Sequence, residues 1–207
     1  GKEAWLKHSQ RYHDGRIHGS VITNACVSGR CSHRNPNMAQ IPRVGQPYGA
    51  ECRGLFYAPH GWRQVGCDAS GLELRGLGAQ LAYFDGGDYA KLVSTEGFDI
   101  HTHNAKLFGI YDGQGEIAKR IREQAKTLIY AVLYGAGAQK LGTILDPSLG
   151  QYDQQDLGRE TIETFYKNLP AIKKLKDKVD ERVLDRGYLI GIDGRHLQIR
   201  SRHSALN

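Results

Sequence analysis

One stretch commits a large part of this chain to a long helix. From about Glu116 to Tyr134 the residues are good helix formers, and Gly135 and Gly137 stop them. Along one edge stand Arg122, Lys126, Tyr130 and Tyr134, each four residues after the last. At 1.5 Å of rise per residue, they make a stripe roughly 18 Å long. Taken alone, the stripe fits a solvated helix face with two aromatics packed on a neighbour. Its order also suits a nucleotide. Phosphate oxygens take the two cations, and a base takes a flat apolar ring, so the same edge can hold a triphosphate and then stack a base. A few residues upstream, "DIHTHN" supplies His101 and His103, either of which could add a phosphate donor or equally stand as a surface residue, the surface being the preferred reading for His103.

The remainder is organised around that helix. Residues 17–56 are rich in Gly, Pro, Asn and Ser, and read as short strands and turns, with "IHGSVI" and "GLFYA" as the apolar pieces. "WRQVGC" (62–67) reads as a buried strand. It runs into a segment where Leu72, Leu74, Leu77, Leu81 and Phe84 recur at three- and four-residue steps, which predicts a helix packed on a sheet. Residues 85–115 read as loop with a short helical piece around "DIHTHNAKLFG". Two further amphipathic helices follow, "SLGQYDQQDLGRETIETFYKNL" and the segment opened by Pro170 and closed by Gly187. "YLIGIDGRHLQIR" predicts a hairpin turning at Asp193-Gly194, and "SRHSALN" the start of another helix. No repeat or low-complexity tract interrupts the chain.

Composition sets outer limits. At 207 residues, 40% hydrophobic and 24% charged, there is material for one sizeable core or two small subdomains. No run reaches the roughly 18 apolar residues of a membrane helix, and the first residues lack the apolar stretch of an export signal. The expectation is a cytoplasmic protein with no membrane partner. A net charge of +6 favours polyanions once the charges cluster. The four cysteines, Cys26, Cys31, Cys52 and Cys67, match no zinc-site spacing and read as reduced and unpaired.

A second constellation is "CDASGLELR". An apolar segment ends at Asp68, the small Ala69 follows, and Glu73 and Arg75 lie just beyond. A carboxylate at a strand tip can hold Mg²⁺ together with substrate phosphates. An Asp there is equally a helix N-cap, and the segment by itself leaves both readings open.

Together the two segments resemble the family A DNA polymerases, most of all their T7-like phage branch. "DASGLELR" (68–75) fits each fixed position of motif A, D-x-S-x-x-E-x-R. "REQAKTLIYAVLYG" (122–135) fits motif B, in which R-x-x-x-K is followed by an aromatic and then Y-G. "DIHT" (99–102) sits between them, where that family places a phosphate-contacting histidine. "GRIHGSV", "SGRCSHRNPNMAQIP", "CRGLF" and "GIDGRHLQIRSRHSALN" look like segments bordering the primer–template, so the resemblance runs over nearly the whole chain.

The resemblance implies an α/β (α+β) fold: a partial antiparallel palm sheet with a mainly helical fingers subdomain. Residues 1–85 would be partial palm with the end of the thumb, 86–186 fingers, and 187–207 the return to the palm. Asp68, with the carbonyl of Ala69, would bind Mg²⁺ in a two-metal site. Arg122, Lys126 and His101 would hold the incoming triphosphate, so that Asp68, Lys126 and Arg122 carry the catalysis of deoxynucleotide transfer to a primer 3′-hydroxyl. Tyr130 would stack near sugar and base, Tyr134 would sit by the templating base, and Glu73 would fill the space a ribose 2′-hydroxyl needs. A salt bridge to a neighbouring Arg is the plainer role for Glu73. Arg30, Asn37, Gln40, Arg195, His203 and Asn207 look like contacts to primer–template DNA.

The chain also departs from the family pattern. Motif C, the His-Asp-Glu hairpin with the second metal carboxylate, is absent, as are most of the thumb and a proofreading exonuclease. Asp99, Asp112 and Asp193 are poor substitutes. The expectation is fingers with part of the palm, cut or split before the metal site is complete. Its partners would be primer–template DNA, a deoxynucleoside triphosphate, a complementing C-terminal fragment and a processivity factor on the missing thumb. Kinship with T7 suggests phage replication in a bacterial cytoplasm. A non-catalytic DNA- or nucleotide-binding fragment is the alternative. A single-subunit RNA polymerase is disfavoured by Glu73, because such an enzyme leaves room for the 2′-hydroxyl.

Overall fold

The computed structural model describes residues 5–111, 113–200, 202, 205 and 206. They divide into two compact units, residues 1–68 and 69–207. The architecture is mostly helical with small antiparallel sheets, as the α+β expectation had it.

The first unit is built from short pieces. Helix α1 (Trp5–Ser9) is followed by strands β1 (Ser20–Ile22) and β2 (Ser32–Arg34), which pair antiparallel with Val21 opposite His33. The peptide bond between Asn35 and Pro36 is cis. Helix α2 (Gly49–Gly54) stands where strands and turns were expected. A side chain at Gly49 would strike the Arg43 carbonyl oxygen at 1.7 Å, so the helix can begin only at a glycine. The Arg53 guanidinium ties it down through Nε to the Pro42 carbonyl, 2.9 Å. Trp5 and Phe56 meet edge to face, with ring centres 5.9 Å apart.

The strand expected over 62–67 is not there. Those residues have no regular structure, and Trp62 and Val65 are 75% and 88% exposed. An apolar run becomes a strand only when a neighbour satisfies its backbone N–H and C=O groups, and among the described residues none pairs with it.

The second unit carries a continuous helical core. Helix α3 (Leu72–Asp85) buries Leu74, Leu77 and Leu81 but leaves Leu72 exposed. It packs on α4 (Asp88–Ser94) and α9 (Pro170–Arg186) and not on a sheet, which corrects the sheet-backed helix expected from the leucine spacing. The loop expected from 85 onward contains α4. Its seven residues follow Gly86-Gly87, and the Asp85 carboxylate accepts from the Gly87 and Tyr89 backbone N–H groups. Such a short helix stands on tertiary packing, because an isolated one of this length does not form. Here Tyr89 is buried and donates its hydroxyl to Oδ1 of Asn104, 3.1 Å away; burial pushes the phenol's pKa up to about 12.

Helix α5 (Ile100–Leu107) and helix α6 (Gly115–Leu133) lie against each other. Helix α6 buries Ile121, Ala125, Leu128, Ile129, Val132 and Leu133, a full apolar face at helical spacing. It ends as a Schellman turn: Gly135 adopts φ 75° and donates to the Val132 carbonyl, while Ala136 donates to the Ala131 carbonyl. Helices α7 (Ala138–Leu145) and α8 (Gln151–Asn168) cross in backbone contact, and Phe165 of α8 stacks on Phe108 at 4.2 Å. Helix α9 starts at Pro170 and closes at Gly187, φ 75°, as read from sequence. The expected hairpin is β3 (Tyr188–Ile190) with β4 (His196–Gln198), turning through Asp193 and Gly194. Of "SRHSALN", where a further helix was expected, residues 201, 203, 204 and 207 lie outside the described residues.

Candidate functional site

Helix α6 delivers Arg122, Lys126 and Tyr130 half-buried along one edge, and Tyr134 at its C-cap, 41% exposed. The apolar face described above is buried against the core, which fixes the rotation of the helix, and Tyr130 on this edge packs partly against the same core.

Helix α5 brings His101 beside the same edge. Its ring centre lies 6.5 Å from that of Tyr130. Burial, together with the nearby charges of Arg122 and Lys126, holds the imidazole below its ordinary pKa, so the ring is neutral near pH 7. Nδ1 of that ring is buried without a hydrogen-bond partner among the described residues. His103, expected on the surface, is half-buried with its ring 5.7 Å from Phe98. Helix α3 supplies Glu73, whose Oε1 accepts the Tyr134 hydroxyl at 3.0 Å. Burial and the charges of Glu73 and Tyr134 raise the Tyr130 phenol. Glu73, His101, Arg122, Lys126, Tyr130 and Tyr134 therefore form one contiguous cluster, cationic at one end and aromatic with a carboxylate at the other.

The guanidinium of Arg122 is already oriented. Its Nε donates to Asp99 Oδ2 at 2.8 Å and its Nη1 to Glu123 Oε1 at 2.8 Å. From sequence Asp99 reads only as a poor substitute for the second metal carboxylate. The sequence signal for its structural role is its place immediately before "IHTH", a helix N-cap position.

Ala69 opens the second unit and Asp68 closes the first; both are exposed. The N-cap of α3 is Gly71, with no side-chain bond, so the capping role of Asp68 does not hold. Of the residues expected to contact DNA, Arg30 and Gln40 are exposed. Asn37 accepts the Ala39 N–H in a turn, and Arg195 is paired with Asp193 in the β3–β4 turn. His203 and Asn207 lie outside the described residues.

The sequence as a whole matches the family model described as DNA polymerase family A over residues 3–206. The chain belongs to DNA polymerase family A. Among its family A relatives are the DNA-directed DNA polymerases of Escherichia phage T7 and Enterobacteria phage T3. Each is 38% identical over the whole of this chain and is covered over 30% of its own length. The thermostable DNA polymerase I of Thermus aquaticus is 33% identical over 87% of the chain and 20% of its own length. The chain thus spans under a third of the curated relatives it matches. In fold it is similar to the POL domain of Pol1 from M. smegmatis, solved in complex with DNA primer-template and dNTP, with a TM-score of 0.69 at 21% identity, covering 97% of this chain and 35% of that one.

The family implies divalent metal. Among the described residues no three His, Cys, Asp or Glu side chains gather as a metal-binding group. Asp99 and Asp193 are engaged by Arg122 and Arg195, and Asp112 lies outside the described residues. The described residues do not by themselves make up a two-metal centre. The cysteines are free, as read from sequence. Among the described residues no helix is long and apolar enough to cross a membrane.

Proposed function

We propose that this chain is the nucleotide-selecting portion of a template-directed family A DNA polymerase, acting in phage DNA replication in a bacterial cytoplasm. The observation that carries the reading is the contiguous cluster on α5, α6 and α3, where two cations and a histidine lead into two phenols and a carboxylate. Arg122, Lys126 and His101 bind the triphosphate of the incoming deoxynucleotide and stabilise the charge that builds on the departing pyrophosphate. Tyr130 stacks on sugar and base, Tyr134 lies by the templating base, and Glu73 excludes a ribose 2′-hydroxyl. Orientation and charge neutralisation are the protein's main contributions to such a transfer, since there is little covalent chemistry for it to do.

In this reading residues 1–85 belong to the palm and the end of the thumb, 86–186 to the fingers, and 187–207 return to the palm. Arg30, Asn37, Gln40, Arg195, His203 and Asn207 border the primer–template. Asp68 and the Ala69 carbonyl are one share of a Mg²⁺ site, whose second carboxylate comes from a complementing C-terminal polymerase segment. A thumb-bound processivity factor is a further partner. A non-catalytic fragment that binds DNA or nucleotide through the same surface is the competing reading, and the absence of a metal-binding group among the described residues favours it for this chain alone.

Single-nucleotide extension of a primed template with Mg²⁺ decides between them. The expected result is no extension by this chain alone and extension once the C-terminal segment of a T7-like relative is supplied, abolished by Asp68→Ala. Failure to extend in both conditions leaves the non-catalytic fragment.

A further inference from the structure

We propose that Asp99 is a positioning residue for Arg122, holding the guanidinium in the orientation that receives the triphosphate; this rests on the nucleotide reading above. The geometry converges on one carboxylate. Asp99 is the N-cap of α5, and its Oδ1 accepts the backbone N–H of His101 at 3.2 Å. Its Oδ2 accepts from the Thr102 hydroxyl at 2.6 Å and from Nε of Arg122 at 2.8 Å. A single side chain thus joins the helix end that carries His101 to the arginine of α6, 23 residues further along the chain.

The ion pair adds little to folding, because each side chain is more than a third exposed, 37% and 38%, and solvent screens such pairs. What it changes is the arginine's freedom. A guanidinium has a rigid fork of donors. Nε goes to Asp99 and Nη1 to Glu123, while Nη2 has no partner among the described residues and remains for phosphate oxygens. An arginine held by its Nε edge loses less conformational entropy when the ligand arrives. Burial works against the charge of Asp99, but the hydrogen bonds from Thr102 and Arg122 outweigh it and keep the carboxyl below its usual range.

Asp99→Asn separates this role from capping. Asn caps a helix about as well as Asp, so α5 is preserved while the charge facing Arg122 is removed. Simple electrostatics then gives the opposite sign to the proposal. Removing a negative charge near a triphosphate should tighten binding, whereas releasing the arginine from its orientation should weaken it.

The test is the affinity of the 207-residue chain for dATP, by isothermal titration, for the wild type, Asp99→Asn, Arg122→Ala and the double variant. Far-ultraviolet circular dichroism checks that the helices are retained. Asp99→Asn is expected to weaken binding about three- to fivefold, and Arg122→Ala about tenfold or more. The double variant should match Arg122→Ala, since an effect exerted through Arg122 vanishes without it. Unchanged or tighter binding by Asp99→Asn overturns the proposal, as does a double variant in which the two losses add. A wild type that binds no dATP removes the nucleotide reading itself, and this inference with it.

Discussion

The Tyr134 hydroxyl donates to Oε1 of Glu73 across 3.0 Å, joining the C-cap of α6 to the first turn of α3 between residues 61 apart in sequence. A carboxylate placed to exclude a 2′-hydroxyl works only if it is held still, and this bond is one restraint on it. Glu73→Ala should therefore raise ribonucleotide incorporation relative to deoxynucleotide by about 10²-fold, the scale on which a pocket discriminates one hydroxyl. Tyr134→Phe, which keeps the ring and removes the donor, should raise it by less, about tenfold or under. Primer extension by the complemented polymerase with each nucleotide type measures both, and an unaltered ratio in Glu73→Ala would remove the gate role.

Tyr130 carries a hydroxyl near the place assigned to sugar and base. In this family a phenol at that position can stand in for the 3′-hydroxyl that a dideoxynucleotide lacks. The complemented polymerase should therefore accept dideoxynucleotides nearly as well as deoxynucleotides. Tyr130→Phe should sharpen discrimination by tenfold or more, about the worth of a hydrogen bond in a closed site. Competitive chain-termination assays read the ratio directly, and a Phe variant with wild-type termination would sink the claim.

His101 gives the site a pH dependence with a definite sign. Burial, with Arg122 and Lys126, holds its folded pKa below the ordinary value of 6.5. A bound triphosphate reverses that balance and favours the imidazolium, so binding should take up a proton. Affinity for dATP should rise as pH falls toward the free chain's His101 pKa, which lies below the ordinary value, and level off beneath it. Titrations in buffers of different ionisation enthalpy measure the uptake. In His101→Ala the uptake should be lost, leaving only the linkage of the terminal phosphate's own ionisation, and it should persist in His103→Ala, because His103 packs against Phe98 and not in the cluster.

The motifs along the chain were legible because they are local. The α6 stripe, the stop at Gly135, Pro170 opening α9 and the Asp193-Gly194 turn each depend on a few neighbouring residues, and each stands where it was read. What sequence could not supply were the partners. Trp62 and Val65 look like strand residues, but a strand needs a second strand. Helix α4 hides behind a glycine pair and depends on Tyr89 reaching Asn104. The role of Asp99 depends on an arginine 23 residues away, which periodicity does not register.

The crossing of α7 and α8 is the place where one methyl group should cost most. A Cβ at Gly142 would stand 1.8 Å from the Gln154 carbonyl oxygen, and one at Gly158 1.8 Å from that of Ala138. Both obstacles are backbone, so a side-chain rotation cannot relieve either clash, and the helices must separate. Thr143 donates to Oε1 of Gln154 at 2.9 Å in the same crossing, and that bond would be strained as well. Gly142→Ala and Gly158→Ala should each lower stability by about 2–4 kcal/mol, at or beyond the upper range for overpacking. Gly76 on α3 supplies the opposite case, since a Cβ there meets nothing within 4 Å. Gly76→Ala should instead stabilise by about 0.5–1 kcal/mol, because alanine loses less backbone freedom on folding. Urea unfolding of the three variants compares the same chemical change in two surroundings. Equal effects at Gly76 and Gly158 would mean that backbone propensity, and not the close approach of α7 and α8, sets the outcome.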